Sequence, residues 1–310
     1  FHIEAVSRCG GIASLISLFL FLVIYFLLYS EILYDYFFIC FSLFIVGYLD
    51  DIKKRISPNI RLLLMIIFLL FFINILSVQI NYIDLNFLSS WLENNLFSSI
   101  FILFCFLFII NGANLVDGFN GLLALKLITI NSILLYVNLN NNHLEFSFLL
   151  TGQIVILISF LLFNFPKAKI FLGDSGSYLF GALIALNIIY TNNLNPLISS
   201  FFFCILLFYL FFEVFFSFFR KLSQKKSPIK PDGEHMHMLL YKILNTRKPD
   251  KDCNYLNAIY INLIFCLFVL PSILLRDSGT FCKYWFFGLI IIYLLAYFRL
   301  NSFVKKKIDI

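Results

Sequence analysis

The chain has 310 residues, of which 61% are hydrophobic and 13% charged, with 42 Phe and a formal net charge of +6. Soluble globular domains carry about 25% charged residues, so a water-soluble fold is excluded and lipid is the natural solvent. The apolar runs are continuous rather than alternating, which also excludes an outer-membrane barrel and leaves an all-α, polytopic transmembrane helical bundle.

In chain order, the apolar runs predict about ten spans in one integral-membrane domain covering 1–310. They lie near 12–29, 36–49, 60–78, 97–110, 121–139, 146–163, 178–190, 197–219, 255–275 and 285–300. The weaker segment 79–99 contains Trp91 and suits an interfacial loop or half-helix. The polar stretch 220–254 is the longest between spans. Seven Cys are scattered with no CxxC pair, so neither a disulfide framework nor a zinc site is indicated. With ten spans the loops alternate sides, and every Lys and Arg except Arg276 and Lys283 falls in one set. The positive-inside rule assigns that set, and every polar motif below, to the cytoplasm.

Residues 111–121, NGANLVDGFNG, interrupt this apolar chain. Asn111, Asn114, Asp117 and Asn120 recur every third position, which on a helix keeps them roughly on one side. They are either a polar hinge or an oxygen-rich patch suited to Mg²⁺ and phosphate. Asp50 and Asp51 close a span at the negative end of its dipole, where carboxylates are disfavoured. They are either a solvated acidic pair offset by Lys53, Lys54 and Arg55, or a pair that meets a divalent cation or positions a phosphate nucleophile. The GDSGS run at 173–177 opens a span: Asp174 or Ser175 can cap the helix, and such an N-terminus also attracts anions. His235 and His237 lack the further ligands that zinc needs, and suit a diphosphate or are incidental. The spans carry no charge near the midplane, since Lys126 and Glu213 lie toward their cytoplasmic ends. That argues for chemistry at the membrane face rather than transport.

In order along the chain, RxGGIA at 8–13, GYLDD at 47–51, NxxNxxDGxNGL at 111–122, FPKAKIFLGDSGS at 165–177 and HxH at 235–237 resemble the polyprenyl-phosphate N-acetylhexosamine-1-phosphate transferases. These are of the bacterial glycosyltransferase family 4 type, related to phospho-MurNAc-pentapeptide translocase. The resemblance covers nearly the whole chain. It implies transfer of a sugar-1-phosphate from a UDP-sugar to polyprenyl phosphate with release of UMP, starting a cell-envelope glycan. It also implies one further span ahead of residue 1.

By the same resemblance, Asp50, Asp51 and Asp117 are the catalytic carboxylates. Asn114 and Asp174 hold Mg²⁺, with Mn²⁺ as a substitute, and Asn120 reads the uracil. His235 and His237 contact the diphosphate. Lys53, Lys54 and Arg61, close to the Asp pair in sequence, are placed to steer phosphates. The implied partners are the UDP-sugar, the polyprenyl phosphate and the membrane, with no nucleic acid, and a homodimer is left open. The translocase itself is the alternative within the family, and a lipid or sugar transporter the alternative outside it.

Overall fold

The computed structural model describes residues 6–52, 56–228, 232–247 and 253–308. Among them are α1 (Gly10–Tyr29), α2 (Tyr34–Asp51), α3 (Pro58–Ile75), α4 (Asn86–Leu92), α5 (Asn95–Val116), α6 (Leu122–Asn140), α7 (Leu144–Asn164), α8 (Gly173–Leu194), α9 (Ser200–Ser223), α10 (Met236–Arg247), α11 (Cys253–Leu274) and α12 (Gly279–Ile308). Strand-like pairing among the described residues is confined to one parallel bridge, between Ser7 and Ile170.

Each of the ten predicted spans is a helix, but eight of the helices are long and apolar enough to cross a membrane. The expected count of about ten is not met on that criterion. The two that fall short are α2 and α8. In α2, Asp35, Asp50 and Asp51 dilute the apolar run. In α8 polar residues such as Asp174, Asn187, Asn192 and Asn193 do so, and this helix is buried along most of its length by α1, α2, α5 and α6. A helix wrapped in protein can carry polar side chains if each finds a partner. Asn187 does so, donating to Asn131 (3.1 Å) and Gln153 (2.7 Å) and accepting from the Tyr36 hydroxyl (2.7 Å). By contrast α1, α3, α7 and α12 expose Leu27, Ile67, Leu162, Leu295 and similar residues outward, as lipid-facing helices do.

Close packing around α8 depends on small residues. A Cβ on Gly47 of α2 would lie 2.4 Å from the backbone carbonyl carbon and oxygen of Asp174. With Gly there, the two backbones touch. The polar element in 79–99 is the short helix α4, in agreement with the half-helix expected there. Within the polar 220–254 stretch the chain forms α10.

One end of the bundle collects the motifs. The start of α1 is pinned to the approach to α8 by Gly10 N–H to Phe171 O (2.9 Å) and Gly11 N–H to Leu172 O (3.0 Å). The C-terminus of α2, the start of α3, the C-terminus of α5 and the N-terminus of α8 meet beside them, joined through Asp50, Asp51, Arg61, Asn114 and Asp174.

Candidate active site

The approach to α8 turns sharply at Gly173, whose φ of +72° is in the left-handed region that favours glycine. A Cβ there would also strike the Asp51 carboxylate at 2.6 Å. Asp51 fills that space. Its Oδ1 accepts from Asp174 N–H (3.1 Å), and its Oδ2 accepts from Ser175 N–H (2.9 Å) and the Ser175 hydroxyl (2.7 Å). So neither Asp174 nor Ser175 caps α8 with its own side chain: the cap comes from α2. This also resolves the unfavourable placement of Asp51 at the end of its own helix. Its charge sits at the positive end of α8, where anions are stabilised. Arg8 adds an ion pair to Asp51 at 3.5 Å.

Asp50, one residue earlier, points elsewhere. Arg61, in the first turn of α3, donates from a single Nη1 to Asp50 Oδ2 and to Asp174 Oδ2, both at 2.9 Å. Ser57 caps that helix and Pro58 opens it, which fixes the turn that carries Arg61. From α5, Asn114 Nδ2 donates to Asp174 Oδ1 (2.9 Å) and to Ser177 Oγ (3.0 Å). Burial, with the neighbouring Asp50, raises the Asp174 carboxyl to about 6, although Asn114 and Arg61 pull the other way. Asp117, where α5 ends, is pushed up too, by burial and then by Asp174 and Asp51, with Arg8 partly offsetting. Several carboxylates therefore share too little positive charge, and the donor set fits a hard divalent cation. Asn114 commits its amide nitrogen to Asp174 and Ser177, which leaves its oxygen for a ligand. Among the described residues no group of three acidic, His or Cys side chains is already arranged as a metal cage. Mg²⁺ does not require one, because waters and phosphate oxygens commonly complete its shell.

The polar face expected along 111–120 breaks in two. Asn111 donates to the Leu107 carbonyl of its own helix (2.7 Å), and α5 stops at Val116. The turn that follows is latched by Asn164 Oδ1, which accepts from Gly121 N–H (2.6 Å), and Asn254 Oδ1, which accepts from Asn120 N–H (2.7 Å). Asn120 donates its Nδ2 to Pro166 O (2.9 Å), while its Oδ1 is buried with no hydrogen-bond partner among the described residues.

The His pair forms an adjoining cluster joined to this turn by Phe119, whose ring meets His237 edge-on at 5.7 Å. Glu213 of α9 organises the cluster: its Oε1 accepts from Met236 N–H (3.0 Å) and its Oε2 lies 3.2 Å from His235 Nδ1. His235 Nε2 is 3.4 Å from Asp232, which Arg220 holds at 2.9 Å. The two imidazoles are parallel, 5.7 Å apart. His237 Nδ1 faces the Tyr209 hydroxyl at 3.2 Å, and its Nε2 is buried without a hydrogen-bond partner among the described residues. Burial pushes its imidazole down to about 4, outweighing the pull of Glu213.

The structure thus brings Asp50, Asp51, Arg61, Asn114, Asp117 and Asp174 together, and sets Asn120 and the His pair in linked neighbouring clusters. Lys53 and Lys54, expected to steer phosphates, lie outside the described residues. Sequence reasoning assigned no role to Arg8 or Ser177, although both stand inside the motifs, and expected Ser175 as a cap rather than as a donor to Asp51. It also missed Glu213, whose signal was a lone carboxylate in an apolar span.

A family model described as "Glycosyl transferase family 4" matches residues 33–192, a segment that holds Asp50, Asp51, Arg61, Asn114, Asp117, Asn120 and Asp174. The chain is 28% identical over 238 residues to the undecaprenyl-phosphate alpha-N-acetylglucosaminyl 1-phosphate transferase of Thermotoga maritima, covering 76% of this chain and 68% of that protein. It is 24% identical over 269 residues to the probable undecaprenyl-phosphate N-acetylglucosaminyl 1-phosphate transferase of Bacillus subtilis, covering 86% and 72%. To the phospho-N-acetylmuramoyl-pentapeptide-transferase of Streptococcus agalactiae it is 31% identical over 152 residues, covering 46% and 44%. With a family match that spans more than half of its length and contains the carboxylate cluster, the chain belongs to glycosyl transferase family 4.

Proposed function

We propose that the chain transfers an N-acetylhexosamine 1-phosphate from a UDP-sugar to polyprenyl phosphate, of the undecaprenyl class, and releases UMP. The observation that carries this reading is the convergence of Asp50, Asp51, Asn114 and Asp174, from three helices, around Arg61 and the N-terminus of α8. Two relatives matched over 76% and 86% of the chain are named as undecaprenyl-phosphate N-acetylglucosaminyl 1-phosphate transferases, one of them as probable.

A phosphate monoester has a second pKa near ~6 and is already a competent nucleophile at neutral pH. A lipid phosphate oxygen attacks the sugar-bearing phosphorus, the bond from that phosphorus to the UMP oxygen breaks, and UMP leaves with the electron pair. The protein's task is to hold two anions together and in line. Arg61 and Arg8 supply positive charge beside the carboxylates. Asn114, Asp117 and Asp174 would hold Mg²⁺, which when bound neutralises diphosphate and leaving-group charge. Asp50, which accepts from Arg61 and lies beside Asp174, is the carboxylate placed to engage the lipid phosphate. Asp51 keeps the N-terminus of α8 in place. The unpartnered Asn120 Oδ1 and His237 Nε2 are suited to the base and the diphosphate.

The ten-pass topology belongs to this reading. At 1.5 Å per residue α2 and α8 are about 27 and about 33 Å long, enough to cross the hydrocarbon core while shielded by neighbours. The motif-bearing end then faces the cytoplasm, where the Lys and Arg are concentrated.

The test is UMP release by the full-length protein in membranes containing undecaprenyl phosphate, with Mg²⁺, across a panel of UDP-sugars that includes UDP-MurNAc-pentapeptide. UDP-N-acetylhexosamines are expected to turn over. Asp174→Asn is expected to lower turnover at least 100-fold while the protein stays inserted and folded. Absence of UMP from every donor, or near-normal rates in Asp174→Asn, overturns the reading.

A further inference from the structure

A cavity far from these carboxylates is lined by described residues only. About 690 Å³ in volume, it opens at the opposite end of the bundle, between the α1–α2 and α6–α7 connections and the end of α8. Asp35 lies at its wall, and α2 runs from there to Asp50, about 22 Å away along the helix. Three carboxylates line it: Glu31, Asp35 and Glu145. Neither Lys nor Arg is among the described residues around it, and none of the three carboxylates has an ion-pair partner among the described residues. Asp35 is held in place: its Oδ1 accepts from Tyr36 N–H (2.9 Å) and its Oδ2 from the Tyr190 hydroxyl.

The walls between the carboxylates are largely aromatic and aliphatic, with Tyr25, Tyr34, Tyr190 and Leu194 among them, together with Asn142 and His143. Tyr25 adds an observation that does not rest on the carboxylates. It is 3% exposed and lines the cavity, yet its hydroxyl makes no hydrogen bond among the described residues.

We propose that this cavity is a binding site for an organic ammonium ion with a short apolar tail. Three unpaired carboxylates attract a cation, and aromatic faces hold an ammonium group by cation–π attraction. The aliphatic wall takes the tail. A divalent metal is the poorer fit, because Glu31 and Glu145 are exposed and the wall between the carboxylates is largely apolar. The site lies at the other end of α2 and α8 from the transferase centre and does not depend on the transferase reading.

The test uses the full-length protein in maltoside micelles and reads binding by calorimetry, without turnover. The probes are hexylammonium, hexanol and hexanoate, which share a tail and differ in charge. Hexylammonium is expected to bind at least tenfold more tightly than hexanol, with no binding of hexanoate. The Glu31→Gln/Asp35→Asn/Glu145→Gln variant should lose at least tenfold in hexylammonium affinity, and Tyr25→Phe a fewfold. Equal binding of ammonium and alcohol, or a folded triple variant that binds hexylammonium like the wild type, overturns the proposal. Should the triple variant fail to fold, the exposed pair Glu31→Gln/Glu145→Gln decides: a threefold or greater loss supports the site and an unchanged affinity overturns it.

Discussion

Asp50 and Asp51 are adjacent in sequence and divided in role. Asp51 is 5% exposed at its side chain and accepts three hydrogen bonds from α8, whereas Asp50 is 24% exposed and touches Arg61. Their replacements should therefore separate stability from turnover. Asp51→Ala is expected to destabilise the protein by about 1–3 kcal/mol through the lost cap and the stranded N–H groups. Asp50→Ala should cost under about 1 kcal/mol, as expected for a partly exposed ion pair. Thermal unfolding in detergent measures both, and UMP release from the two variants shows whether Asp50→Ala is nonetheless inactive. His237 makes a second residue-scale prediction. Its imidazole titrates near 4 when buried and near 6.5 when unfolded, so the unfolded chain binds the extra proton between those values. Acidification through that window should cost about 3 kcal/mol of stability, the loss being complete below pH 4. His237→Gln should remove this dependence, which stability measurements at pH 7 and pH 4 compare directly. The pairing of two acids was visible in GYLDD, but not their division of labour, because only the position of α8 decides which carboxylate meets its N-terminus.

At the scale of helices, the site depends on how closely α2 approaches α8. Gly47 permits contact between backbones, and any Cβ there meets the Asp174 carbonyl group. Gly47→Ala should force the helices apart, cost about 1–3 kcal/mol as overpacking does, and lower turnover by misplacing Asp51 and Asp174 together. Deeper in the same pair, Tyr36, Asn131, Gln153 and Asn187 satisfy one another within the bundle. Asn187→Leu strands several of these groups at once and should destabilise by roughly 1–3 kcal/mol, with KM for the UDP-sugar unchanged. Thermal unfolding and steady-state kinetics on the two variants distinguish loss of site geometry from loss of bundle stability. The apolar runs were legible as helices throughout. The burial of α8 was not, since a moderately polar helix wrapped by others has the same sequence character as a short, weak span.

For the whole molecule, the carboxylate cluster and the cavity beside Asp35 mark opposite ends of the bundle, and the orientation proposed from the Lys and Arg asymmetry puts the first in the cytoplasm. Cys9 is exposed at the catalytic end, and Asn140 is exposed at the other. In a background with the remaining cysteines replaced, an Asn140→Cys variant should react with a membrane-impermeant maleimide in intact cells, while Cys9 should react only after the membrane is opened. The reverse labelling pattern would overturn the assigned orientation.

Composition and the length of the apolar runs by themselves determined that this is an all-helical membrane protein. Lipid admits few other solutions for so apolar a chain, and backbone hydrogen bonding inside a helix is local. The motif spacing likewise marked Asp50, Asn114 and Asp174 before any contact was known. Only the tertiary structure decided that Asp51 caps a helix other than its own and that Asn111 turns back to its own carbonyl. It also decided that Asn120 leaves the face it shared with Asn114, and that Glu213 lies beneath the His pair. Each of these is set by long-range approach between helices, where a positive helix terminus, a missing Cβ or a buried carbonyl selects among side chains that look equivalent in sequence.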